Sequence, residues 1–153
     1  MQQIGKYTVI KQLGAGGFGA VYLATDPMLD EKVAIKVFEV RDDNLARQAT
    51  SSSTDAVNVL KQRFLAEAKT LRQLSANPYI VEVYDFNQLE DGTPYYVMPY
   101  LVRSLESEIG KDAFTRGKLE ETPPELYPRR VGLIQGLQWL DQILEALREV
   151  HNA

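Results

Sequence analysis

The stretch Gly14-Ala15-Gly16-Gly17-Phe18-Gly19-Ala20-Val21 has the skeleton Gly-x-Gly-x-x-Gly-x-Val, and its flanks decide the fold. Ile4–Leu13 before it and Ala20–Asp26 after it are rich in β-branched and aromatic residues, so both read as strands. A dinucleotide-binding fingerprint with this glycine spacing opens a helix. Here the glycines join strand to strand. Without Cβ atoms, such a loop can lower its backbone over phosphate groups and reach φ values closed to bulkier residues. Phe18 at the tip would shield those phosphates from water. A glycine-rich hairpin with no ligand accounts for the same residues, and on this stretch alone both readings stand.

Downstream, Asp26-Pro27-Met28-Leu29-Asp30 has the residues of a hairpin turn, and Glu31–Val40 reads as a third strand. Within it, Ala34 and Lys36 point to one face because strand side chains alternate. A small residue there leaves room for a flat ring, and a lysine two positions on can reach phosphates from the same cleft. Lys36 lies between Ile35 and Val37 in an apolar strand, where an ammonium needs an anionic partner. Most lysines are solvated surface groups, so position rather than residue type singles it out.

Arg41–Val57 is polar, contains Thr50-Ser51-Ser52-Ser53-Thr54, and reads as an insertion. The period then changes. Leu60, Phe64, Ala68, Leu71 and Leu74 mark one face of a helix over 58–75, ended by Asn77-Pro78. Glu67 sits beside that face and is the candidate partner for Lys36; an exposed carboxylate matched with Arg63 or Lys69 is the alternative. Tyr79–Phe86 and Pro94–Leu101 read as strands joined by Asn87–Thr93, where Asp91-Gly92 favours a hairpin. The expectation is α+β: a five-stranded antiparallel sheet with one packed helix. The pair Tyr95-Tyr96 reads as sheet packing.

Val102–Pro128 is irregular apart from a short helix near Ser104–Ile109. Arg129–Asn152 carries Leu133, Leu137, Leu140, Leu144 and Leu147 at helical spacing, widened by Ile134, Ile143 and Val150. The 153 residues are 44% apolar and 25% charged, the balance of a globular chain rather than a disordered one. With 17 basic and 21 acidic residues the net charge is −4, which argues against nucleic-acid and anionic-membrane partners. There is no cysteine and one histidine, so thiolate chemistry, disulfides and multi-histidine metal sites within the chain are excluded. No apolar run approaches the ~20 residues of a membrane span. Met1-Gln2-Gln3-Ile4 opens no secretory leader, so the expected location is cytoplasmic.

Taken in order, these segments resemble the amino-terminal lobe of a eukaryotic-type (bacterial Hanks-style) Ser/Thr protein kinase across about residues 5–105. The resemblance rests on the glycine loop, Val33-Ala34-Ile35-Lys36-Val37, Arg63-Phe64-Leu65-Ala66-Glu67-Ala68, Asn77-Pro78-Tyr79-Ile80-Val81 and Tyr96-Val97-Met98-Pro99-Tyr100-Leu101. It implies that Lys36 contacts the α- and β-phosphates of ATP with Glu67 as its ion-pair partner. It also implies that Leu13, Gly14, Gly16, Gly17, Phe18 and Gly19 cover the nucleotide and that Val21 and Ala34 sandwich the adenine. Met98 takes the gatekeeper position, the backbone of Pro99 and Leu101 makes the hinge contacts, and Leu71 and Val83 join a regulatory hydrophobic spine. Pro99 departs from the glutamate common at its position, and the Arg41–Val57 insertion departs from compact members.

The implied organisation is a kinase-like lobe over 1–102, a hinge-following segment over 103–129 and the first long helix of the larger lobe over 130–153. The sequence contains no His-Arg-Asp, no Asp-Phe-Gly and no activation segment. Catalytic and metal-binding residues are therefore expected to be absent, with Lys36 and Glu67 as a supporting pair. The expected function is the ATP-binding portion of a Ser/Thr kinase that transfers the γ-phosphate to a protein hydroxyl when complete. Weak or no ATP binding is expected of the isolated chain, and Mg²⁺ only in a complete kinase. The alternative is a naturally truncated or non-catalytic kinase-like interaction domain. Expected partners are the missing carboxyl-terminal lobe, another protein, or a second copy through helix 130–151.

Overall fold

The computed structural model describes residues 2–16, 19–40, 54–110 and 129–152. They fall into two compact units, residues 1–100 with 149–153, and residues 101–148.

The first unit is built on an antiparallel sheet of six strands: β1 (Gln3–Ile4), β2 (Tyr7–Gly16), β3 (Gly19–Asp26), β4 (Glu31–Val37), β5 (Asp85–Gln88) and β6 (Pro94–Pro99). Their order is β1-β2-β3-β4-β6-β5. The sixth strand arises because the run expected over Ile4–Leu13 breaks at Gly5, whose φ of 55° turns the chain back so that Ile4 pairs with Tyr7. A β-carbon at Gly5 would also collide with the Tyr95 hydroxyl, so glycine is required there for two reasons.

A second difference concerns the strand expected over Tyr79–Phe86, of which only Asp85 and Phe86 fall in β5. The preceding backbone is satisfied elsewhere. The Tyr79 amide donates to Asn77 Oδ1 at 2.9 Å, the Ile80 amide to the Asn77 carbonyl at 3.2 Å, and the Arg72 guanidinium to the Val83 carbonyl at 3.2 Å. Groups held by a turn and a side chain have no need of a ladder partner.

The turn after β3 forms as the sequence suggests. Asp26 Oδ1 accepts from the Met28 amide at 2.8 Å, and Asp30 adopts a φ of 54° that aspartate tolerates better than most residues. The expected helix 58–75 is α1 (Thr54–Gln73). It begins inside the stretch read as an insertion, of which residues 41–53 lie outside those described.

Alternation divides the sheet between two cores. Ala20, Tyr22, Val33, Ile35, Val37 and Val97 point to one face and form the larger apolar cluster with Ile4, Tyr7 and Tyr95. Tyr96 points to the other face and clusters with Phe64 and Ala68 of α1 and with Val83, flanked by Phe38, Leu71 and Met98. Phe64 stands edge-on to Phe38 at 5.7 Å and tilted to Tyr96 at 5.3 Å. Helix α1 is thus docked on the face that carries Lys36.

In the second unit, α2 (Leu105–Ile109) is capped by reciprocal bonds between Ser104 and Ser107, each hydroxyl taking the other residue's amide at 3.1–3.2 Å. Helix α3 (Leu133–Asn152) begins a turn later than residue 130 and buries none of its residues. Leu133, Leu137, Leu140 and Leu144 are each more than half exposed. Among the described residues no helix is long and apolar enough to cross a membrane.

Candidate nucleotide site

Register brings the predicted residues together. On β4, Lys36 pairs with Val21 of β3 on one side and Tyr96 of β6 on the other. Two residues back, Ala34 pairs with Leu23 and Met98. Paired residues of an antiparallel ladder share a face, so Val21, Ala34, Lys36, Tyr96 and Met98 form a contiguous patch. Ala34 is buried, while Val21 and Met98 are half-buried.

Across this patch Lys36 Nζ donates to both carboxylate oxygens of Glu67, at 2.6 and 2.8 Å. Glu67 projects from α1 one residue before buried Ala68 and three after buried Phe64, so docking of the helix aims its carboxylate at the sheet. The Lys36 side chain is 21% exposed and that of Glu67 41%. The ammonium also lies 5.7 Å from the Tyr96 ring centre and 5.8 Å from that of Phe64.

The glycines divide by role. A β-carbon at Gly14 or Gly16 would meet no neighbour, whereas one at Gly19 would overlap the Val37 carbonyl. Packing within the sheet therefore accounts for Gly19, while Gly14, paired with Val21, and Gly16, paired with Gly19, have open space on the sheet face that carries Lys36, where a phosphate chain could approach. Gly17 and Phe18 lie outside the described residues. Leu13 sits in β2 beside a bulge and is partly exposed. Pro99 ends β6 opposite Val33, and Leu101 lies beyond it with 67% of its surface exposed. Leu71 and Val83, expected in one apolar spine, do belong to one cluster.

Sequence reasoning missed Tyr96, which it took as sheet packing. Its hydroxyl donates to Glu67 Oε1 at 2.8 Å. Burial, then this bond and the nearby carboxylate charge, push the phenol well above the ordinary tyrosine range, so it stays a donor. The signal available in sequence was its spacing of two from Met98, which puts both on one face.

A curled antiparallel sheet with one helix carrying a glutamate onto a strand lysine is the architecture of a kinase small lobe. Residues 7–153 match the protein kinase domain family, and the chain belongs to it. It is 38% identical to the serine/threonine-protein kinase PknK of Mycobacterium tuberculosis over 101 residues, 65% of this chain and 8% of that protein. It is 39% identical to the serine/threonine-protein kinase PknD of Chlamydia caviae over 123 residues, 76% of this chain and 12% of that one. Among solved structures, a mutant of the PknI kinase domain of Mycobacterium tuberculosis superposes with a TM-score of 0.58 at 23% identity, covering 99% of this chain and 50% of that one. The likeness at that identity is one of fold. The chain spans about half of that kinase domain and a small part of the curated relatives.

Proposed function

We propose that this chain is the ATP-binding portion of a Ser/Thr protein kinase. The observation that carries the reading is the Lys36 ammonium, held by two bonds to Glu67 on the same sheet face as Ala34 and Met98. A lysine fixed in this way offers a positioned positive charge to the α- and β-phosphates. Beside it, Ala34 with Val21 and Met98 supplies a flat apolar patch of the kind an adenine ring requires. The residues present fit a nucleotide. Among the described residues no group of three or more His, Asp or Glu side chains could hold a metal ion.

Kinases as a family use ATP with Mg²⁺, and phosphoryl transfer depends on positioning and charge neutralisation from both lobes. The 153 residues contain neither His-Arg-Asp nor Asp-Phe-Gly. The chain on its own is therefore expected to bind nucleotide weakly and to transfer no phosphate. Titration with a fluorescent ATP analogue, alongside an assay of labelled-phosphate transfer to a generic protein substrate, tests both halves. Lys36→Met should weaken binding about tenfold or more, the cost of removing a charged hydrogen-bond donor. Transfer by the purified chain that is lost in Lys36→Met would overturn the inactive assignment. Binding unaffected by Lys36→Met would overturn the site.

The exposed apolar stripe of α3 favours a second reading, a kinase-like interaction module in which that helix face is the docking surface. The reading frame beyond Ala153 separates the two. A following His-Arg-Asp and Asp-Phe-Gly supports the kinase, and a stop codon supports the module.

A further inference from the structure

The Lys36–Glu67 pair has a third member, and the three groups differ in what water can do for them. The Lys36 and Glu67 side chains are 21% and 41% exposed, so water reaches both and offsets part of what each loses when the pair opens. Tyr96 is 1% exposed. Its ring is fixed by Phe64 at 5.3 Å and by strand pairing with Lys36 on one side and Phe86 on the other. Its hydroxyl donates to Glu67 Oε1 at 2.8 Å, the oxygen that also takes Lys36 Nζ at 2.6 Å. A buried hydroxyl deprived of its acceptor pays its full desolvation cost, whereas a part-exposed ion pair that opens regains contact with water. The group that water cannot compensate when Glu67 swings outward is therefore the phenol, rather than the lysine.

We propose that Tyr96 is a positioning residue whose buried hydroxyl latches Glu67 to the sheet, and that through Glu67 it holds the Lys36 ammonium in place for the nucleotide phosphates. The bond runs from β6 to α1, so a single hydroxyl ties the seating of the helix to the orientation of the lysine. Its importance for phosphates rests on the function proposed above. The latch itself is a property of the free chain and can be measured without nucleotide.

The test follows the rate at which Lys36 is acylated by a water-soluble N-hydroxysuccinimide ester, read by peptide mass spectrometry on the whole 153-residue chain. The Lys36 ammonium must leave the carboxylate and give a proton to water before its nitrogen can attack the ester carbonyl and expel N-hydroxysuccinimide. Tyr96→Phe, which keeps the ring and its packing, should speed Lys36 labelling about tenfold, the scale of one lost bond to a charged group, and leave Lys11 and Lys32 unchanged. Glu67→Gln should speed it at least as much. Combining the two should add nothing to Glu67→Gln, because the hydroxyl acts through the carboxylate. Labelling of Tyr96→Phe at the wild-type rate overturns the proposal. So does a full additional effect of Tyr96→Phe in the Glu67→Gln background, which would mean that the tyrosine acts by packing alone. If Tyr96→Phe shows no cooperative thermal melt, the wild-type chain decides by NMR. A slowly exchanging Tyr96 hydroxyl proton close to Glu67 supports the latch, and a rapidly exchanging one overturns it. Separately, ATP that fails to protect Lys36 in the wild-type chain would count against the proposed function while leaving the latch intact.

Discussion

At the scale of single residues, one glycine spacing holds two unrelated demands. Gly19 lies where β3 passes the end of β4, and any β-carbon would enter the space of the Val37 carbonyl, a backbone atom with little freedom to move. A β-carbon at Gly14 or Gly16, on the opposing strand, would meet nothing. Gly19→Ala should therefore cost about 1–3 kcal/mol of unfolding free energy, as overpacking does. Gly16→Ala should change stability by less than about 0.5 kcal/mol, as surface substitutions do, while weakening the ATP analogue. Urea unfolding curves read beside the nucleotide titration check both. Equal destabilisation by the two changes would remove the distinction between a packing glycine and a ligand-facing one.

At the scale of elements, the two turns at one end of the sheet are tied by a single ion pair. Lys6, in the turn between β1 and β2, reaches Asp26, at the end of β3, with Nζ 2.9 Å from Oδ2. The Lys6 bond and then the Met28 amide hold the Asp26 carboxyl below its ordinary 3.8, and the same bond raises Lys6 above 10.5. A depressed carboxyl contributes stability that is present above pH 3.8 and lost as pH falls through its folded value. A raised lysine contributes stability that is present below pH 10.5 and lost as pH rises through its own. The difference in melting temperature between the wild-type chain and Asp26→Asn should accordingly be flat between those limits and should shrink toward pH 2. A difference that grows on acidification would place the stabilising proton linkage elsewhere.

At the scale of the whole molecule, α3 combines an apolar stripe with the absence of any buried residue. Each leucine taken out of water is worth roughly 1.5–3 kcal/mol, so an uncovered stripe is a strong incentive to associate. We propose that in the isolated chain it pairs with its copy. Sedimentation should then give a dimer that Leu137→Glu with Leu144→Glu converts to monomer, and a monomeric parent would sink the idea.

Local pattern by itself determined strands β2, β3, β4 and β6, the helix of Phe64 and Glu67, the Asp26–Asp30 turn and the shared face of Ala34 and Lys36. Periods of 2 and 3.6 are written into consecutive residues. Only tertiary structure decided that Arg72 holds the Val83 carbonyl, that Gly19 yields to Val37 and that Tyr96 serves Glu67. Each joins residues distant in the chain, and a distance across a folded core follows from register and docking, which no local window contains.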